Sequence, residues 1–215
     1  MNAMLTATIP LPAILDQPSP IGPGRRHCID NFHLTAASVD RFNALLARLG
    51  RRNAPLDCDR LATAARELRD RVNGTGEPAC ILQRMKRLEA AAKMLNDSQW
   101  EPIDDAGAVA ALMVHYVTGR YQLLPNSLPT VGHLDDAIAV DAAWPALRDE
   151  VAAFLDYCRL RSLEAMLRGR EIGAFQFSRN DWEDARRAEY TLEKQRRCIR
   201  ENSYLPQREA CFYVH

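Results

Sequence analysis

No two of the six cysteines stand in a CxxC pair. None of Cys28, Cys58, Cys80, Cys158, Cys198 and Cys211 has histidines at zinc-site intervals. That spacing excludes a zinc ribbon, and scattered single thiols in a chain long enough to bury a core fit a reducing compartment. Net charge is also missing: 28 basic side chains face 28 acidic ones, which disfavours a strong polyanion groove. Long apolar runs are absent as well. The most apolar stretch, Ala106 to Val117, contains Gly107 and His115 and falls short of the roughly 18 to 20 residues that span a bilayer. Pro10, Pro12 and Asp16 break up the one segment that resembles a secretory leader. A cytoplasmic protein without transmembrane insertion is expected.

Catalytic signatures are wanting too. There is no GxSxG, HExxH, Walker-type loop or Rossmann glycine pattern, and His27, His33, His115, His133 and His215 are dispersed. Alternating strand-like segments are scarce, which disfavours an α/β nucleotide-binding enzyme. No cofactor is expected on these grounds, and an enzyme is the less favoured reading.

What the chain does have is helical periodicity. Thr35 is placed to cap a helix running to about Gly50, with Val39, Phe42, Leu45, Leu46 and Leu49 at three- and four-residue steps. Asp57 opens a second helix, to about Val72, with a narrow stripe of Leu61, Ala65 and Leu68 and a stop at Asn73-Gly74. A third, from about Glu77 to Leu95, is expected to bury Ile81, Met85, Leu88, Ala92 and Leu95. Asp104 and Asp105 suit the start of a fourth, and Gly119 its end. A fifth begins near His133 or Leu134, with Trp144-Pro145 ending or kinking it, and a sixth runs from Pro145 to about Leu167. Ser178 is positioned to cap a last, highly charged helix to about Glu201. The fold class is therefore all-α: a compact multi-helix domain with an irregular Pro/Gly crossing before the fifth helix.

The domain organisation that follows is a flexible or surface-draped arm over 1–24, rich in proline, a helical domain over 25–170, and a charged helix with an apolar docking tail over 171–215. Charge is laid down unevenly. Residues 25–99 carry fourteen Lys/Arg against nine Asp/Glu, while residues 101–156 carry only Arg120 and Arg148 against nine acids. Pairing of one helix layer with another is the plain reading. A positive face built from Arg25-Arg26, Arg51-Arg52, Arg66, Arg69, Arg84, Lys86 and Arg87 is the alternative, with nucleic acid as its partner.

The stretch from Tyr121 to Val140 is locally over-specified. Pro125 and Pro129 hold their predecessors extended, Gly132 permits close backbone contact, and Leu123, Leu124, Leu128 and Val131 call for burial. A buried irregular crossing results, and Asp135 and Asp136 follow at the start of a helix, where carboxylates satisfy free amides. The same two acids, with Asp141, Asp104 and Asp105 in reserve, are the candidate ligands for a hard cation, Mg²⁺ or Ca²⁺. Tyr116, Pro125, Asn126, Pro129, Gly132 and His133 complete the candidate structural or interaction corner.

Tyr116 to about residue 145 resembles the YkvA-like family, a domain of unknown function also called DUF1232. Its pattern is a Tyr, a Ser-Pro-Ile-Asp step, Leu-Ile-Pro-Asp, a second Ile-Pro, and Val-Leu-Gly-Tyr-Leu-Asp-Asp before an apolar helix. Tyr116, Leu123, Leu124, Pro125, Leu128, Pro129, Gly132, Leu134, Asp135 and Asp136 fall on it in register. Gly119-Arg120-Tyr121-Gln122, Asn126 and His133 depart from it. The resemblance implies a short helical domain without an agreed activity, and Gln122 and Asn126 stand where the family has carboxylates. The expectation is a helical protein-interaction or regulatory protein that binds a protein partner or a second copy of itself. A divalent-metal-assisted hydrolase built on Asp135 and Asp136 is the runner-up.

Overall fold

The structure is a computed structural model that describes residues 8–17, 26–72 and 76–202, with the backbone alone at Asp104 and Asn202. The Asn73-Gly74 stop and the apolar tail after 202 lie outside these residues. The chain divides into two units, Met1–Asp156 and Tyr157–His215. Helices dominate: α1 (Ala36–Arg48), α2 (Cys58–Arg71), α3 (Ala79–Asn96), α4 (Asp104–Thr118), α5 (Leu134–Leu167) and α6 (Arg179–Asn202). One feature was not foreseen, a small antiparallel hairpin of β1 (Cys28–Ile29) and β2 (Phe32–His33). It turns through Asp30 at φ 53°, a left-handed position that aspartate tolerates.

The helix starts follow the sequence closely. Thr35 Oγ1 accepts the Ser38 amide, and Asp57 Oδ1 accepts the Arg60 amide, each satisfying a donor the helix cannot. Gly50, at φ +100°, ends α1 in a conformation that costs other residues energy.

Within the first unit, α3 packs on α4, and α2 lies against β1 and a short 3-10 turn at Ala13–Leu15. The centre of the unit is the first half of α5. Leu134 and every residue from Ala137 to Val140 are buried, as are Leu147, Val151 and Phe154. Full burial of each large aliphatic side chain contributes about 1.5–3 kcal/mol. Trp100 meets Phe154 edge-on, with ring centroids 5.8 Å apart, and its Nε1 donates to Glu150 Oε1 at 3.1 Å.

Two expectations are corrected here. Pro145 does not separate two helices, because α5 runs unbroken from Leu134 to Leu167 with the proline inside it. An interior proline costs about 3 kcal/mol, and the burial of Ala137 to Val140, Ala142 and Ala143 before it and of Leu147, Val151 and Phe154 after it outweighs that cost. The buried face of α3 is also rotated from the expected stripe. It consists of Cys80, Ile81, Arg84, Arg87, Ala90, Ala91 and Met94, while Met85, Leu88, Ala92 and Leu95 are only half-buried. Apolar content alone placed the stripe wrongly because two arginines point inward.

The described part of the N-terminal arm is ordered against its own unit. Arg84 Nη1 donates to the Ile9 carbonyl, the Ile9 amide to Gln83 Oε1, and Arg51 Nη2 to the Leu15 carbonyl; Leu15 is buried.

In the second unit Phe177 stacks on both Tyr157 and Phe175, and the Arg168 guanidinium lies over the Phe175 ring. Ser178 and Asp181 form a reciprocal cap on α6: Asp181 Oδ2 accepts the Ser178 amide, and Ser178 Oγ accepts the Asp181 amide.

Candidate functional site

The crossing between α4 and α5 is held at one oxygen. Tyr116, in the last turn of α4, donates its hydroxyl to Asp135 Oδ2 at 2.6 Å. The amides of Leu123 and Leu124 donate to the same atom at 3.0 and 3.1 Å. Leu123 and Leu124 lie outside any helix, Pro125 keeping Leu124 from helical conformation, so their amides have no helical acceptor. Asp135, fully buried in the first turn of α5, supplies that acceptor and also engages its own amide. It thus ties the start of α5 to the crossing and to α4.

The rest of the corner closes the loop. The Leu128 amide donates to Pro125, the Gly132 amide to Leu128 and the Val131 amide to Pro129. Gly132 sits so close to the backbone of Asn126 that an added Cβ would lie 2.6 Å from its carbonyl oxygen. Thr130 adopts φ 67°, a strained conformation for a β-branched residue, and is buried in it. The side chains of Asn126 and Pro129 are exposed.

Asp136 turns to different partners. Its Oδ2 lies 3.0 Å from His133 Nδ1, and His133 Nε2 lies 3.6 Å from Glu77 Oε1, before α3. The imidazole therefore bridges two carboxylates. Oδ1 of both Asp135 and Asp136 is buried without a partner among the described residues. Burial accordingly pushes both acids above the usual carboxylate range, Asp136 to about 6, with the neighbouring Asp135 charge adding and His133 opposing. Burial, then the Asp135 charge, raise the Tyr116 phenol strongly, so it remains a neutral donor.

As cation ligands the two acids are brought to neighbouring positions but committed to separate networks. Asp135 Oδ2 already has three donors from outside its own residue. Asp141 is drawn away to Arg84, Asp105 is exposed, and the Asp104 side chain lies outside the described residues. Among the described residues no group of three or more His, Cys, Asp or Glu side chains is arranged to hold a metal ion.

A second buried polar arrangement was not legible beforehand. Arg84 Nη2 pairs with Asp141 Oδ2 at 2.6 Å, and the Arg87 guanidinium lies 4.5 Å from the Trp144 ring centre. Both arginines are three apart on α3, and both partners are three apart on α5, so one face of each helix carries a matched pair. Arg84 also donates to the carbonyls of Ile9 and Cys80, and Arg87 to Thr8 Oγ1. These arginines are 1% and 2% exposed, so they leave the expected positive face. Arg66 and Arg71 pair with acids on their own helix and Arg69 with Asp30. The only sequence sign of the buried pair is the excess of arginine in the first half and acid in the second.

Comparison of the chain with protein-family models, with curated proteins and with solved structures gives no match in any of the three.

Proposed function

We propose that the protein is a helical interaction or regulatory protein, and that α6 is its partner-binding element. The observation that carries this reading is the exposure of α6. Every residue from Arg187 to Glu201 is exposed, including Tyr190 at 70% and Leu192 at 52%. Helices in proteins draw most of their stability from a packed face. The ion pairs Arg179–Glu183, Arg187–Asp184 and Arg186–Glu189 lie in its first half. Ala185, Ala188, Leu192, Gln195 and Ile199 recur at alternating steps of three and four, the spacing of a coiled-coil seam. A partner helix, from another protein or a second copy, packs along that seam.

The corner supports the same reading. Its chemically capable groups are turned inward and spend their hydrogen bonds on one another and on the backbone, which suits a rigid frame rather than a reacting centre. The described cysteines are all free thiols, and among the described residues no helix is long and apolar enough to cross a membrane. Both facts suit the cytoplasm.

The test compares the full chain with an Ala188→Glu/Leu192→Glu variant in sedimentation and in tagged capture from its native cells. The native chain is expected to dimerise or to recover a stoichiometric protein, and the variant to lose that species while keeping its helical spectrum. Recovery of the same species by both, or of none by either, would refute α6 as the binding element.

A further inference from the structure

The first unit carries a cleft of about 590 Å³ between α1 and the end of α4. That volume is within the range of ligand and anchor pockets. Phe42, Leu45 and Leu112 contribute apolar surface, with Tyr116 beside them, its ring 5.5 Å from that of Phe42. Arg41, Arg48 and Arg120 line the cleft and are exposed, and no carboxylate lines it. None of the three arginines has an ion-pair partner among the described residues. They contrast with Arg60, Arg84 and Arg87, which are turned inward and engaged.

Spacing narrows the occupant. Arg41 and Arg48 are seven residues apart on α1, two turns along one face, which places their Cα atoms about 10 Å apart at 1.5 Å per residue. One carboxylate or phosphate head cannot meet both guanidiniums across that span. Two acids seven positions apart on a helix can, and an apolar residue between them would enter the Phe42, Leu45 and Leu112 surface. We infer that this cleft binds an acidic helical segment of a partner protein, with two carboxylates about two turns apart bracketing an apolar anchor. Arg120, just past α4, closes the opposite side on the same segment.

The probe is a fluorescein-labelled, end-capped helical peptide with two glutamates seven positions apart and leucines between them, titrated against the full-length chain by fluorescence polarisation. Saturable one-to-one binding is expected. Arg48→Glu is expected to weaken it at least tenfold, Arg120→Gln severalfold, and replacement of both glutamates by glutamine at least tenfold. A lysine-bearing peptide is expected to bind Arg41→Glu/Arg48→Glu more tightly than it binds the native chain. All three arginine variants are used only where their circular dichroism matches the native chain, and Arg120→Gln serves if a charge reversal does not fold. Ala188→Glu/Leu192→Glu is expected to bind the peptide normally, which separates this site from α6. No saturable binding, equal binding by the glutamine peptide, or displacement of the peptide by micromolar dodecanoate would overturn the proposal, the last by showing that a single-headed anion fills the cleft.

Discussion

The Tyr116 hydroxyl and Asp135 Oδ2 are 2.6 Å apart, joining the last turn of α4 to the first turn of α5 through a buried, charge-accepting atom. Because that atom also receives the Leu123 and Leu124 amides, losing the Asp135 carboxylate strands buried donors, while losing the Tyr116 hydroxyl removes one donor from it. Tyr116→Phe is expected to destabilise the chain by about 1.5–3 kcal/mol, the range for a hydrogen bond to a charged group. Asp135→Ala is expected to cost more, since it leaves the Leu124 amide and the Tyr116 hydroxyl without their acceptor and the Leu123 amide with the Tyr116 oxygen alone. Urea denaturation of the two variants checks both the sizes and their order.

Removing Asp141 leaves Arg84 buried with only carbonyl partners. Asp141→Ala is expected to destabilise by about 3–5 kcal/mol. Replacing Arg84 and Asp141 together by methionine and leucine is expected to recover much of that loss, because no uncompensated charge remains. The double-mutant cycle, read by denaturant midpoint, measures the coupling.

Gly132→Ala would push a Cβ to 2.6 Å from the Asn126 carbonyl oxygen and 2.9 Å from that of Leu128, both backbone atoms that cannot swing aside. A loss above about 2 kcal/mol is expected, well beyond the usual surface substitution. Thr130→Gly should go the other way or be neutral, since it relieves a left-handed β-branched residue worth about 1 kcal/mol of strain. Thermal melts of both variants give the contrast.

Asp136 makes stability depend on pH in an unusual direction. Its folded-state value of about 6 lies above the ordinary 3.8, so the folded chain holds the proton more tightly than the unfolded one. The stabilisation is complete below about pH 4 and is lost as pH rises through 6. Two pH units correspond to at most about 3 kcal/mol. The groups facing Asp136 are Asp135 and His133, with Glu77 acting across the imidazole. Asp136→Asn retains an acceptor for His133 and is expected to gain stability relative to the native chain between pH 4 and 7. Parallel urea curves across that range would show it, and a constant difference would not.

The positions of these elements were readable to different degrees. Thr35, Asp57 and Ser178 act through short-range bonds to amides three residues on, so the residue type alone announces the helix start. The crossing was legible for the same reason: proline and glycine act locally. Arg84 and Asp141 meet across 57 positions, and nothing local distinguishes an inward arginine from a solvated one. Pro145 misleads in the opposite sense, since its local cost is real but packing around α5 exceeds it. Asp135 was singled out, yet its connection to Tyr116, Leu123 and Leu124 emerges only when α4 and α5 are placed together.

Hydrogen exchange along α6 is the most direct measurement of the proposed role. In the isolated monomer the amides of 187–201 are expected to exchange far faster than those of the buried half of α5, because no packed face restrains them. In the complex recovered from native cells the same amides are expected to slow by at least an order of magnitude. Protection of α6 in the monomer equal to that of α5, or rates in the complex unchanged from the monomer, would contradict a partner-binding role for this helix.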